Sequence, residues 1–263
     1  MQKVVKKILR AVADHDPDYY DMYGDPHEVW FARLYTTRIL DHAAAAGIRP
    51  PATLLEAGCQ TGRLMIPLAQ EGFRVTGIDT SGFALRRARK HAKEADVELT
   101  LLHGEVTEVL ERDPSTRYDV VVCAEVVYLA PNYREMLAAL ARAVRPGGLL
   151  CVSHRPKFYY LYEAFRQYDL RAAAEVMRSS EGPFRDGGYF NWQTEEELRA
   201  LYESLGLRWL GMYPIDRLAW LTGVRPAQLT DEQREQWLEL ERQVPRGTET
   251  CGRYVLVIAT PSV

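Results

Sequence analysis

The sequence predicts an α/β fold, a parallel sheet with helices on both faces, and three observations carry that expectation. The first is residues 53–72, TLLEAGCQTGRLMIPLAQEG, where an apolar strand runs into a turn framed by Gly58 and Gly62. Leu64, Met65, Leu68 and Ala69 then recur at helical spacing. The second is the regular alternation of strand-like and helix-periodic segments from Thr53 to Ser153. The third is Asp79, which closes the next strand, FRVTGIDTS. A strand feeding a glycine turn and a helix places free helix N–H groups at the carboxyl edge of the sheet. A carboxylate at the tip of the neighbouring strand can accept both hydroxyls of a ribose.

The elements follow in order. MQKVVKKILRAVADHD has Lys3, Lys6, Lys7 and Arg10 beside short apolar positions, which predicts a brief amphipathic helix packed on the domain and not a secretory signal. Residues 14–31 are loop-like, with Tyr19, Tyr20, Tyr23, Trp30 and Phe31 among Asp, Pro and Gly, a composition that suits either a lid or plain packing of the loop. A helix over 28–46 is ended by Gly47, with Pro50 beyond it. After Asp79, ELTLLHGEV and YDVVVCAEVVYL are the third and fourth strands; a helix over 134–144 and a Pro146-Gly147-Gly148 turn precede the fifth, ending in Ser153 and His154.

Beyond Ser153 the regular pattern stops. Residues 154–193 are rich in Tyr, Phe and Arg and predict one or two helices and a Gly187-Gly188 loop, placed as a cap over the sheet edge. Thr194 with Glu197 forms a capping box for a helix over 195–205. LRWLGMYPI is a strand, 216–246 is helical and charged with breaks at Pro226 and Thr230, and GRYVLVIAT is the final strand. The expected units are a helical lid (1–47), the cofactor-binding core (48–153), a cap (154–206) and a terminal strand pair with inserted helices (207–263).

The ordered run E-A-G-C-Q-T-G, G-I-D, G-E-V, Y-D-V-V-V-C-A-E-V-V and R-P-G-G-L-L resembles the class I S-adenosylmethionine-dependent methyltransferases over roughly 33–153. The resemblance implies a Rossmann-like, doubly wound, mostly parallel seven-stranded sheet with an antiparallel last strand. It also implies S-adenosyl-L-methionine as cofactor. By the same resemblance Glu56, Gly58, Gln60 and Gly62 serve the methionine end, Asp79 the ribose, Glu105 or the Val106 backbone the adenine edge, and the Ala124 backbone the amino group, with Thr80 also among the cofactor-binding residues. Arg33 matches an arginine that grips the cofactor carboxylate in similar small-molecule N-methyltransferases. One departure is Gln60, where the family has glycine; the turn tolerates it if Gln60 keeps negative φ and points away from the cofactor.

Methyl transfer from a sulfonium asks for an aligned acceptor in a dry pocket, and for a base only when the acceptor arrives protonated. His154, directly after the fifth strand, and Tyr20 are the candidates for acid–base work. A run similar to that of glycine N-methyltransferase-like enzymes gives Arg155 a pocket role, and Tyr19, Tyr23, Tyr128, Asn191 and Trp192 are candidate liners.

Composition bounds the alternatives. The chain has 263 residues, 47% of them apolar, enough for a substantial core. A net charge of −3 and the absence of a basic groove argue against a nucleic-acid partner, and no apolar run approaches a bilayer span. The four cysteines show no CxxC pair, so neither a zinc site nor any other metal is expected, and the cytoplasm is the expected compartment. The leading function is methylation of an oxygen or nitrogen of a small molecule. An RNA or protein methyltransferase, a nicotinamide-dependent oxidoreductase and a non-catalytic cofactor binder are the rivals; the oxidoreductase would require G-x-G-x-x-G in place of the turn found here.

Overall fold

The computed structural model describes residues 20–185, 187–243 and 250–262. The expected N-terminal amphipathic helix, and Tyr19 with it, lie outside these residues. Helix α1 (Pro26–Ala45) leads into strand β1 (Thr53–Ala57), α2 (Met65–Gln70), β2 (Arg74–Asp79), α3 (Gly82–Glu94) and β3 (Leu99–His103). There follow α4 (Val106–Arg112), β4 (Tyr118–Cys123), a 3₁₀ turn (Val127–Leu129), α5 (Tyr133–Arg142) and β5 (Val144–His154). Next come α6 (Lys157–Arg166), α7 (Leu170–Arg178), a small hairpin of β6 (Glu181–Pro183) and β7 (Tyr189–Asn191), and α8 (Glu195–Ser204). The chain closes with β8 (Leu207–Ile215), α9 (Leu218–Thr222), α10 (Asp231–Gln243) and β9 (Tyr254–Pro261).

Seven strands form one sheet in the order β3-β2-β1-β4-β5-β9-β8. The pairs from β3 to β5 are parallel, and β9 runs antiparallel to both neighbours. Fold class and the reversed last strand are therefore as expected. Alternation along each strand divides the core into two layers. Leu54, Val120, Val122, Cys151 and Leu256 pack against α1, α2 and α3, while Leu55, Val121, Leu150 and Val257 pack against α4, α5 and α8.

Local chemistry sets the helix ends. Asp25 caps α1 by accepting from the N–H groups of His27 and Glu28, Ser81 caps α3, and the Thr194–Glu197 box caps α8 as expected. Thr230 and Gln233 exchange hydrogen bonds at the start of α10. The region after β8 is less helical than expected, a five-residue helix and a 3₁₀ turn preceding α10. The Pro146-Gly147-Gly148 run is not a turn before β5 but lies inside it, where the register against β4 shifts by a bulge. Helix α1 presents Trp30, Phe31, Tyr35 and Ile39 to the core and covers the sheet as an integral layer.

Candidate active site

The strand order reverses between β1 and β4, which opens a crevice at their carboxyl ends, the usual ligand position in such sheets. A cavity of about 380 Å³ sits there, within the range of small-molecule sites. Glu56, Gly58, Gln60, Arg63, Asp79, Thr80, Glu105, Val106, Ala124, Glu125 and Tyr128 are among its walls. A wider groove of about 980 Å³ lies at the opposite edge, along Thr53, Thr76 and Tyr118 at the starts of the strands. Helix carbonyls, not helix N–H groups, face that edge, so it lacks the helix-terminal N–H donors present at the carboxyl ends of the strands.

The conformation at each of these positions has a local cause. Gly58 adopts φ +78°, and a Cβ there would stand 2.2 Å from Val126 Cγ2, so only glycine keeps the turn against the β4 tip. Gly62, at φ +97°, is not a wall; its missing Cβ lets Ile66 close over the start of α2. Asp79 accepts from the amides of Gln60 (2.8 Å, Oδ2) and Ser81 (2.8 Å, Oδ1), which fixes its carboxylate between turn and helix. Thr80 is exposed, and its carbonyl meets His103 Nε2 at 2.9 Å. Glu105 precedes α4 as an exposed carboxylate, with buried Val106 beside it.

Glu56 is buried at the cavity floor, and its Oε2 has no hydrogen-bond partner. Burial, opposed by nearby Arg63 and reinforced by Asp79, pushes its carboxyl up to about 8. An unsatisfied buried acceptor beside a glycine cradle fits the ammonium of an amino-acid cofactor, and Asp79 fits its ribose.

Gln60 departs from expectation. It sits at φ +45°, not negative, and pays for that conformation with contacts to the N-terminal segment. Its Nε2 donates to the Tyr20 carbonyl (2.9 Å), its Oε1 accepts from the Met22 amide (3.3 Å), and the Tyr23 amide donates to Thr61 Oγ1 (3.0 Å). The side chain thus turns away from the turn's interior and tethers residues 20–23 over it.

Arg33 is corrected outright. It is half exposed and forms a bidentate pair with Glu235 of α10, away from the cavity. The arginine at the site is Arg63, which the sequence reasoning missed. Arg63 is 5% exposed and is clamped between Glu28 of α1 and Glu125 at the β4 tip (2.6 Å). A cation set in the apolar run Leu64-Met65-Ile66, directly after the turn, was the available signal, because such a group must find partners when buried. Glu125 adopts φ +61°, and its amide donates to Ser153 Oγ (2.6 Å).

The acid–base and pocket candidates divide. His154 is buried on the other face of the sheet and bonds Tyr202 at 2.9 Å; burial drives its ring down to about 3, so it stays neutral and is a core residue. Tyr20 is 51% exposed with its hydroxyl donated to Asp25, and Tyr23 packs on His91; neither borders the cavity. Trp192 is buried with Tyr160 and Val176, and Asn191 donates to the Val127 carbonyl, bracing the 3₁₀ turn from behind. Tyr128 does line the cavity. Behind it Arg155 lies 4.2, 4.4 and 4.6 Å from the rings of Tyr128, Tyr159 and Tyr254, bonded to the Tyr254 hydroxyl.

Sheet order, glycine turn and carboxylate-lined crevice are arranged as in the class I S-adenosylmethionine-dependent methyltransferase fold. Residues 54–148 match the family model of the methyltransferase domain. The ubiquinone biosynthesis O-methyltransferases of Serratia proteamaculans and Erwinia tasmaniensis are 38% and 32% identical over 150 and 149 residues, 56% of this chain in both cases. The match spans 62% and 61% of those relatives' own lengths, somewhat less than two thirds. Across the whole chain the fold is similar to magnesium protoporphyrin IX methyltransferase from Synechocystis, solved with S-adenosylhomocysteine, at 17% identity and a TM-score of 0.61, with 100% of both chains covered. Among the described residues no helix is long and apolar enough to cross a membrane.

Proposed function

We propose that this protein transfers a methyl group from S-adenosylmethionine to a small-molecule acceptor, preferentially at oxygen. The observation that carries it is the switch-point cavity, where the unsatisfied Glu56 carboxylate, the Gly58 cradle and Asp79 stand in the order an amino acid, a sulfonium and a ribose would need. Glu56 would hold the ammonium with the Ala124 backbone, Asp79 the ribose hydroxyls, and Glu105 with Val106 the adenine edge. When bound, the cofactor supplies an activated methyl on a good leaving group. The chain's own part is to hold the acceptor in line and keep water out.

The acceptor side is formed by Tyr128 and the tyrosines around Arg155, with residues 20–23 as a rim. Oxygen is favoured because the curated relatives are named as O-methyltransferases. None of the tyrosines or carboxylates is assigned as an obligate base, since a phenolate or carboxylate acceptor needs none. A small acceptor suits a cavity of this size better than a polymer does, and the mild negative charge weighs against nucleic acid. Four cysteines without a disulfide support a cytoplasmic setting.

Calorimetry with S-adenosylhomocysteine and with NADH tests the cofactor, and methyl incorporation across a panel of phenols, carboxylic acids and amines tests the acceptor. Binding of the homocysteine compound alone, with methylation of a phenol or acid, is expected. Saturable NADH binding without response to S-adenosylhomocysteine would overturn the proposal.

A further inference from the structure

The cluster on the cavity wall holds two carboxylates for one guanidinium. Arg63 bonds Glu28 on one side and Glu125 on the other, and the three side chains are 6%, 11% and 13% exposed. One carboxylate neutralises a buried arginine. A second, taken out of water, has only the more distant Arg253 beside it, which is shared with Asp216, and its burial costs free energy. Arg63 is the only basic side chain among the described walls of the cavity, against carboxylates from Asp79, Glu105 and Glu125, with the Glu56 carboxyl raised to about 8 by burial. Asp79 and Glu105 lie at the ribose and adenine end, whereas Glu125 adjoins Ala124 and Tyr128 at the opposite end. Its backbone is held in the left-handed region, secured by Ser153, so local conformational energy is expended to aim this one side chain.

We propose that Glu125 is the counter-charge for the sulfonium of the cofactor, and that the surplus charge of the Glu28–Arg63–Glu125 cluster makes the site select the cationic cofactor over its neutral product. This rests on the methyl-transfer function proposed above and adds a discriminating residue to it. In the transfer the sulfur–methyl bond breaks and its electron pair stays on sulfur, which becomes a neutral thioether. The methyl carbon bonds to an acceptor lone pair, and any acceptor proton leaves to solvent. The positive charge departs from the sulfur, and with it the attraction to Glu125. An interaction strongest before transfer does not accelerate the chemical step; it favours release of the spent cofactor and entry of a fresh one, a step that often limits turnover. Glu28, contributed by α1, keeps Arg63 from cancelling Glu125 alone.

The test is calorimetric and needs no acceptor. S-adenosylmethionine, sinefungin (whose C–NH3+ group replaces S+–CH3, the ammonium standing at the methyl position) and S-adenosylhomocysteine are titrated into the full chain, into Glu125→Gln and into Glu28→Gln. Both cations should bind the wild type at least about tenfold more tightly than the thioether, near the lower end of what one unit charge a few Å away contributes between bulk water and a protein surface. Glu125→Gln should erase that preference while keeping S-adenosylhomocysteine affinity, which also shows the variant folded. Glu28→Gln should erase it too, by leaving Arg63 to neutralise Glu125, and decides the matter if the first variant does not fold. Equal wild-type affinities for all three ligands, or a preference unchanged in both variants, would overturn the role of Glu125. Failure of all three ligands to bind would remove the methyl-transfer function together with it.

Discussion

Asp79 shows what a single residue can say in advance. Its position follows from where a strand ends and a glycine turn begins, both local features, and the structure places it on the cavity wall with its two oxygens oriented by backbone amides. Asp79→Ala should weaken S-adenosylhomocysteine binding by one or more orders of magnitude, because charge-assisted hydrogen bonds are worth about 1.5–3 kcal/mol each; calorimetry reads this directly. Gly58, Glu56 and Ala124 were legible for the same reason. Arg33 and His154 were not, because their roles depend on partners 202 and 48 residues away. Helical spacing places Arg33 on a helix but cannot reveal that α10 will supply Glu235. Strand alternation, followed strictly, would have separated His154 from the cavity face, since Ser153 and not its neighbour meets Glu125. His154→Gln should therefore lower the melting temperature by losing the Tyr202 bond, with kcat at low temperature nearly unchanged. A large fall in kcat without loss of stability would restore His154 to the chemistry.

At the scale of elements, the order and direction of strands were legible, and the packing of the segments between them was only partly so. Five βα units announce themselves by period alone. The aromatic richness of residues 154–192 pointed to a pocket, yet Tyr160, Phe184 and Trp192 pack on one another in a satellite core, which composition cannot distinguish from a lining. The N-terminal segment is where the two levels meet. Residues 20–23 are tied to the glycine turn through Gln60 and Thr61. Gln60→Gly should relieve a left-handed backbone and also cut this tether. Stability should change by less than about 1 kcal/mol, the two effects opposing each other, while hydrogen exchange at residues 20–23 rises. Exchange equal to wild type would mean the segment is held by its other contacts, the Tyr23 amide on Thr61 and Asp21 on His91.

The whole molecule answers to pH through its buried groups. The carboxyls of Glu56 and Asp216, raised to about 8 and about 7 chiefly by burial, hold protons in the folded chain that the unfolded chain has released. Stability from both is present below their unfolded values and is lost as pH rises through the folded ones. Neutral His154, depressed to about 3, acts oppositely, losing stability as pH falls below its ordinary value near 6.5. Above pH 6.5 only the carboxyls remain, so the melting temperature of the cofactor-free protein should decline toward pH 8, and less steeply in Glu56→Gln. A slope unaltered by that substitution would show that Glu56 is already ionised.

The cysteines carry a consequence of a different kind. Cys59, Cys123 and Cys151 are buried in or beside the central strands, where desolvation pushes their thiols up, while Cys251 is half-buried near the start of β9. Thiolate is the reactive form, so the three core sulfurs are shielded twice, by access and by protonation. The fold thereby has its own clock. With a disulfide reagent at neutral pH, Cys251 should react promptly, Cys59 on the cavity lining more slowly, and Cys123 and Cys151 together at the rate at which the sheet opens. Saturating S-adenosylhomocysteine should delay Cys59 most, slow Cys123 and Cys151 through added stability, and leave Cys251 untouched.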